Sequence, residues 1–191
     1  MKTTKIHRTQ SLILAGLAMI ALASLLGALA TRVVADNSSA TYDYLIGTDF
    51  LCGLGIPNAC PDVAKADNGD TVEITGSGTL SVHPKSVTGE GTYTHNAADG
   101  STLESGTWTA TQLLSFNVAD CGVGGFPPNF CGGLAIILVQ LSSGSGAILQ
   151  VYCDIGTPPP SYPDPEGVRL AIQGGLNFNQ KVSGITVFIR E

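Results

Sequence analysis

The stretch GTYTHNAADGSTLESGTWTA, residues 91–110, sets His95 and Glu104 on either side of an Asp99-Gly100 pair. Asp-Gly between alternating residues signals a two-residue hairpin turn with positive φ at both central positions. Read literally, that turn pairs His95 with Glu104, Tyr93 with Gly106 and Gly91 with Trp108. An imidazole facing a carboxylate is equipped for general acid–base chemistry, which makes His95 and Glu104 the candidate catalytic residues. The simpler reading is a solvated contact near a hairpin tip, worth little to stability. A three-residue loop would shift the register by one and place Leu103 opposite His95. Tyr93 and Trp108 share the parity of His95 and Glu104, so they are either ligand-binding residues or part of a core.

Other chemistry is sparse. DVAKADNGD offers Asp62, Asp67 and Asp70 within nine residues, hard oxygen donors that suit Ca²⁺. The spacing is not that of an EF-hand, and Asn68-Gly69 is itself a turn signal, so the expectation is no metal, with these three Asp as the only candidates. No nucleophile elbow, P-loop or dinucleotide-binding glycine pattern occurs, and no cofactor is expected. The loop GFPPNF places Phe126 and Phe130 around two prolines. Apolar side chains on such a loop either form a contact surface or fold back over the end of a sheet.

Five cysteines lie beyond residue 35: Cys52, Cys60, Cys121, Cys131 and Cys153. Spacing suggests two local disulfides, Cys52 with Cys60 and Cys121 with Cys131, each closing a Gly- and Pro-rich loop. Cys153 falls in phase with Ala147, Leu149 and Val151, which predicts a buried and inert thiol.

These residues must be positioned by β-structure. The chain has 191 residues, and residues 1–35 read as a targeting segment. Lys2, Lys5 and Arg8 precede the small-and-apolar run 11–30, and Val33-Val34-Ala35 fits a cleavage site. The same apolar run is also long enough for a retained membrane anchor. Beyond it, helical periodicity is nearly absent. Turn residues recur about every ten positions between segments rich in Thr, Val and Ile, the pattern of an antiparallel all-β domain.

Strands are predicted over 71–82, 91–97, 102–116, 133–141, 147–155, 168–172 and 184–190. The domain is placed at 71–191, behind a Cys-containing segment at 36–70 and outside the apolar N-terminal helix. In the first strand Val72, Ile74, Leu80 and Val82 share one parity, with Gly76 and Gly78 among them, so a bend or a close neighbour is expected at the glycines. The meander order and these glycines favour a closed or partly open barrel over a two-layer sandwich.

Charge narrows the function. Removal of residues 1–35 takes four of the nine basic residues and none of the fifteen acidic ones, leaving a net charge of −10. No basic stripe remains to neutralise phosphates, so nucleic acid is not an expected partner. The reading is a secreted or cell-surface β-domain that binds a small apolar ligand or a surface partner without catalysis. Two alternatives stand beside it: a barrel-type isomerase or cyclase using His95 and Glu104, and a purely structural surface protein.

Overall fold

The computed structural model describes residues 39–157 and 165–191, so the targeting segment and its apolar run lie outside the described residues. The described residues form one antiparallel all-β sheet of ten strands, with a single short 3-10 helix among them at Asp49–Gly53. The strands are β1 (Thr41–Ile46), β2 (Asp62–Ala66), β3 (Thr71–Ser81), β4 (Ser86–Asn96) and β5 (Thr102–Cys121), then β6 (Phe130–Leu141), β7 (Gly146–Cys153), β8 (Gly167–Ile172), β9 (Asn177–Ser183) and β10 (Thr186–Arg190).

Seven of these overlap the predicted strands; β1, β2 and β9 were not anticipated. Their sequences explain why. β2 is five residues long and presents only small side chains, Ala64 and Ala66, to the core beside Asp62, while β9 (NFNQKVS) buries Phe178 alone. Neither carries enough apolar alternation to stand out, and each is held by its neighbours. β1 and β2, from the expected segment 36–70, both pair along β3.

β3 organises the sheet. Thr71–Ile74 pairs with β2 and Gly76–Ser81 with β1, so β1 and β2 lie end to end along one edge of it. β9 and β10 lie beside them in the same manner, with Val63 opposite Ser183 and Ile46 opposite Thr186. From β3 the sheet continues through β4, β5, β6, β7 and β8 to β9, which meets β2. β7 follows β6 only as far as the Gly133–Cys153 pair. Beyond it, β10 takes up the vacant flank of β6, with Phe188 opposite Cys131. The pairings therefore close through eight strands at one level. At the other they close through six: β1, β3, β4, β5, β6 and β10.

The interior is filled. Trp108, Tyr44, Phe178, Phe188 and Ile137 are among its largest fully buried side chains. Phe116 packs against both Tyr42 and Phe188, with ring centroids 4.9 and 4.8 Å apart. The glycines on the core parity of β3 do have close neighbours: a side chain at Gly76 would run into the Trp108 ring, and one at Gly78 into the Tyr44 hydroxyl. Both aromatics lie on glycine backbone, with their polar tips satisfied by carbonyls, Trp108 Nε1 donating to Thr75 O at 3.0 Å and Tyr44 Oη to Thr88 O at 3.0 Å. That is how a ring with one polar atom is buried without loss. In β6 the odd-numbered Ala135, Ile137, Val139 and Leu141 are buried, while Leu134, Ile136 and Leu138 are half-buried.

Candidate functional site

The hairpin register is as read for Gly91–Trp108, Tyr93–Gly106 and His95–Glu104. The turn that produces it is not. Ala97 N donates to Ser101 O and Gly100 N to Ala97 O, so the loop has three residues, with Gly100 at φ +87° in the left-handed region and Asp99 outside it. That loop would displace the register by one residue. A bulge between His95 and Asn96 on one strand and Thr102 and Glu104 on the other absorbs the difference, leaving Leu103 as the extra residue, 58% exposed. Two irregularities cancel, because only this register puts Trp108 and Tyr93 inside.

Although His95 and Glu104 face each other across the strands, each side chain has taken another partner. His95 Nε2 lies 3.1 Å from Asp70 Oδ2, and its ring stands edge-on to Phe178 at 5.2 Å. Asp70 is held below the usual carboxylate range by its hydrogen bonds, first that with Asn68 and then that with His95. Glu104, exposed, accepts from the Tyr93 hydroxyl at 2.6 Å. Tyr93 and Trp108 are core residues, 2% exposed each, and neither lines the cavity between the disulfide-bonded loops described below. His95→Ala and Glu104→Ala are each expected to cost no more than about 1 kcal/mol. The double variant should be additive in thermal unfolding, since the two side chains bond elsewhere; a coupling well above about 0.5 kcal/mol would show that they act as a pair.

The three candidate metal ligands are dispersed. Asp62 is fully buried and paired with Lys181, Asp67 accepts from Gln180 at 2.9 Å, and Asp70 serves His95. Among the described residues no group of three or more His, Cys, Asp or Glu could hold a metal ion.

Both disulfides are present as paired by spacing, Cys52–Cys60 and Cys121–Cys131, and Cys153 is a buried free thiol. Burial pushes the Cys153 thiol far up, in keeping with an inert group. The disulfides are consistent with an extracellular location.

Their loops meet over one cavity. The excursion between β1 and β2, residues 47–61, contributes Phe50, Leu51, Leu54 and Ile56, the β5–β6 loop contributes Val123, Phe126 and Pro127, and the start of β6 contributes Phe130. Phe50 and Phe130 touch across the junction, with ring centroids 5.7 Å apart. Ile185 and Val187, flanking and within β10, supply the wall, and the ends of the β7–β8 connection supply Asp154, Ile155 and Glu166. The cavity volume is about 700 Å³, within the range of small-molecule sites. Of the nine exposed large hydrophobic side chains among the described residues, five belong to it: Phe50, Leu54, Ile56, Val123 and Phe126. Phe126 and Phe130, singled out in the sequence, are therefore part of this lining.

The step from β9 to β10 aims the cavity wall. Gly184, at φ +100°, lets the chain turn between the two strands. Gly184 N and Ile185 N donate to Asn58 O and Ala59 O, which ties the step to the disulfide-bonded excursion. Lys181 Nζ donates to Gly184 O at 2.8 Å and pairs with Asp62 Oδ1 at 2.7 Å, pinning β2 and β9 at the same point.

Glu166 was not singled out from the sequence, where it is one acidic residue in a Pro-rich connection. In the fold its Oε1 accepts from Thr186 N and its Oε2 from Asp154 N, both at 3.0 Å, and it also bonds the Asp154 side chain. Burial, followed by that contact with Asp154, raises its pKa to about 7; burial likewise raises Asp62 to about 6 against the pull of Lys181. Both groups therefore keep protons in the folded state that the unfolded chain has released above its ordinary carboxylate range. By linkage, folding stability is expected to fall as pH rises from about 4 to about 7. The loss is on the order of a few kcal/mol. Melting temperature followed across that window should decline, with a shallower decline in Glu166→Gln; a flat or rising profile would mean the two carboxyls ionise freely.

Compared with protein-family models, curated proteins and solved structures, the chain matches none.

Proposed function

We propose that this chain is an exported, non-catalytic binding protein, and that its ligand is a small, mostly apolar molecule held in the cavity between the two disulfide-bonded loops. The observation that carries this reading is the gathering of exposed Phe50, Leu54, Ile56, Val123 and Phe126 around one concave space of about 700 Å³. Exposing large apolar side chains costs hydration free energy, and a monomer concentrates them where something else covers them. The two closed circuits of pairings form, in this proposal, the wall of a tapered barrel. Eight strands narrow to six where β7 and β8 end, and the cavity occupies the shoulder so created. In this reading the ligand sits on that shoulder and not along the axis, where the core side chains Trp108, Phe178 and Phe188 pack.

A surface partner docking on the same rim is the second reading, favoured by Phe126 and Leu54, each about half exposed. Titration with the uncharged fluorophore N-phenyl-1-naphthylamine separates the two. Saturable one-site binding that weakens about tenfold in Val187→Trp, which fills the cavity, is the expected outcome for a small-ligand site. Absence of binding to the intact protein would reject that site and leave the partner reading. For the isomerase reading, His95 and Glu104 offer no shared proton position here, since they bond Asp70 and Tyr93.

A further inference from the structure

The apolar cavity has one strongly polar corner, and the chemistry of that corner restricts what can fill it. Asp154 and Glu166 also border a second, adjoining cleft of about 430 Å³, which shares Ile56 and Ile185 with the first and includes Asn58 and Lys181. The two carboxyl groups thus stand where the apolar space opens into a more polar one. Resting on the small-ligand reading above, we propose that the ligand is an amine-bearing amphiphile, its apolar body against Phe126 and Val187 and its ammonium at Asp154 and Glu166.

Charge complementarity supports this occupant. Among the described residues lining the larger cavity, Asp154 and Glu166 are the charged ones, and both are acidic. Lys181, the cation of the adjoining cleft, is spent on Asp62 and the Gly184 carbonyl, and its side chain is only 5% exposed. Each Glu166 oxygen accepts one backbone N–H, and its side-chain contact with Asp154 sets the two carboxyl groups side by side, where an ammonium can donate to both once the proton between them is lost. Asp154, itself exposed, presents its carboxylate to an arriving ligand. Two acidic groups beside an apolar wall gain most from a ligand that brings the opposite charge and hydrogen-bond donors together, and they repel a carboxylate or phosphate. An ammonium group on an apolar body meets both demands.

Isothermal titration calorimetry of the disulfide-intact protein with decylamine, decanol and decanoate tests this at pH 8. The amine is then protonated, and Glu166 is above the pH of about 7 at which burial holds it. Moderate salt and concentrations below micelle formation limit non-specific adsorption. Decylamine is expected to bind one site at least tenfold more tightly than decanol, with decanoate weakest. Asp154→Asn and Glu166→Gln should each reduce the preference for amine over alcohol to about threefold or less. Glu90→Gln, an exposed carboxylate on β4, should change nothing.

If decanol binds as well as decylamine, or decanoate as well as either, the amine proposal is wrong while the apolar site stands. If the preference survives in both Asp154→Asn and Glu166→Gln, the ammonium is held elsewhere and the proposal again fails. If none of the three chains binds, the small-ligand reading falls with it.

Discussion

Replacing Lys181 by Met is expected to lower folding stability by about 3 to 5 kcal/mol, because it strands a buried carboxylate. Asp62 is wholly buried and Lys181 nearly so, at 0% and 5% side-chain exposure, and the Lys181 ammonium is the countercharge that Asp62 has. The same ammonium satisfies Gly184 O at the β9–β10 step, so its loss also loosens the turn that sets the cavity wall. The penalty should depend on pH in a defined direction. Lys181 opposes the burial that holds Asp62 at about 6, so without Lys181 that group rises further and is neutral at pH 5. Urea unfolding at pH 5 should therefore show a smaller deficit than at pH 8. The double variant Asp62→Leu with Lys181→Met should recover much of the loss, since a buried ion pair replaced by apolar groups of similar volume is often neutral. A deficit that is the same at both pH values and unchanged in the double variant would show that the ion pair is not its source.

Trp108→Ala is expected to cost a similar amount, about 3 to 5 kcal/mol, from lost burial and the cavity left behind. The indole is 2% exposed, lies against Gly76 and Gly91, and donates to Thr75 O. Glycine backbone cannot close over the space, because no side chain is present at either position to move into it. Trp108→Phe should lose less, the aromatic contact with Gly76 and Gly91 being kept while Thr75 O gives up its donor. Guanidinium unfolding followed by far-ultraviolet circular dichroism reads both variants. A loss below about 1 kcal/mol for Trp108→Ala would mean the indole is not packed as described.

Those two sites differ in how far the sequence revealed them. Trp108 was legible as a candidate core residue, because Gly91, Tyr93, Gly106 and Trp108 share one face of the hairpin and the cross-strand pattern of aromatic over glycine is local. The turn beside it is a three-residue loop, not the two-residue turn that Asp99-Gly100 signals, yet the register is the same, since that loop and the bulge at Leu103 offset each other. Lys181 was not legible at all. Its partner Asp62 is 119 positions away in the chain, and Asp62 looked like one of three carboxylates in a turn-rich segment. Charged side chains carry no sequence sign of burial, because only the packing of distant strands removes their water.

The candidate site divides in the same way. Phe126 and Phe130, in a loop closed by Cys121 and Cys131, stood out locally by composition. Glu166 did not, because what distinguishes it is the pair of backbone donors that β7 and β10 bring to its two oxygens. The cavity itself belongs to no segment of sequence. Its lining comes from the 47–61 excursion, the β5–β6 loop, the ends of the β7–β8 connection and β10, which only the fold brings together.

By itself, the sequence determined the antiparallel β-class, the two local disulfides, the buried phase of Cys153 and the inward face of the opening hairpin. All of these follow from alternation, turn chemistry and short loop closure, which act over a few residues. The end-to-end placement of β1 with β2 and of β9 with β10, the buried Asp62–Lys181 pair and the carboxyl corner at Asp154 and Glu166 were decided only by the tertiary structure. Each depends on strands far apart in the chain meeting in one register, and it is that meeting which excludes water and gives these charged side chains their partners.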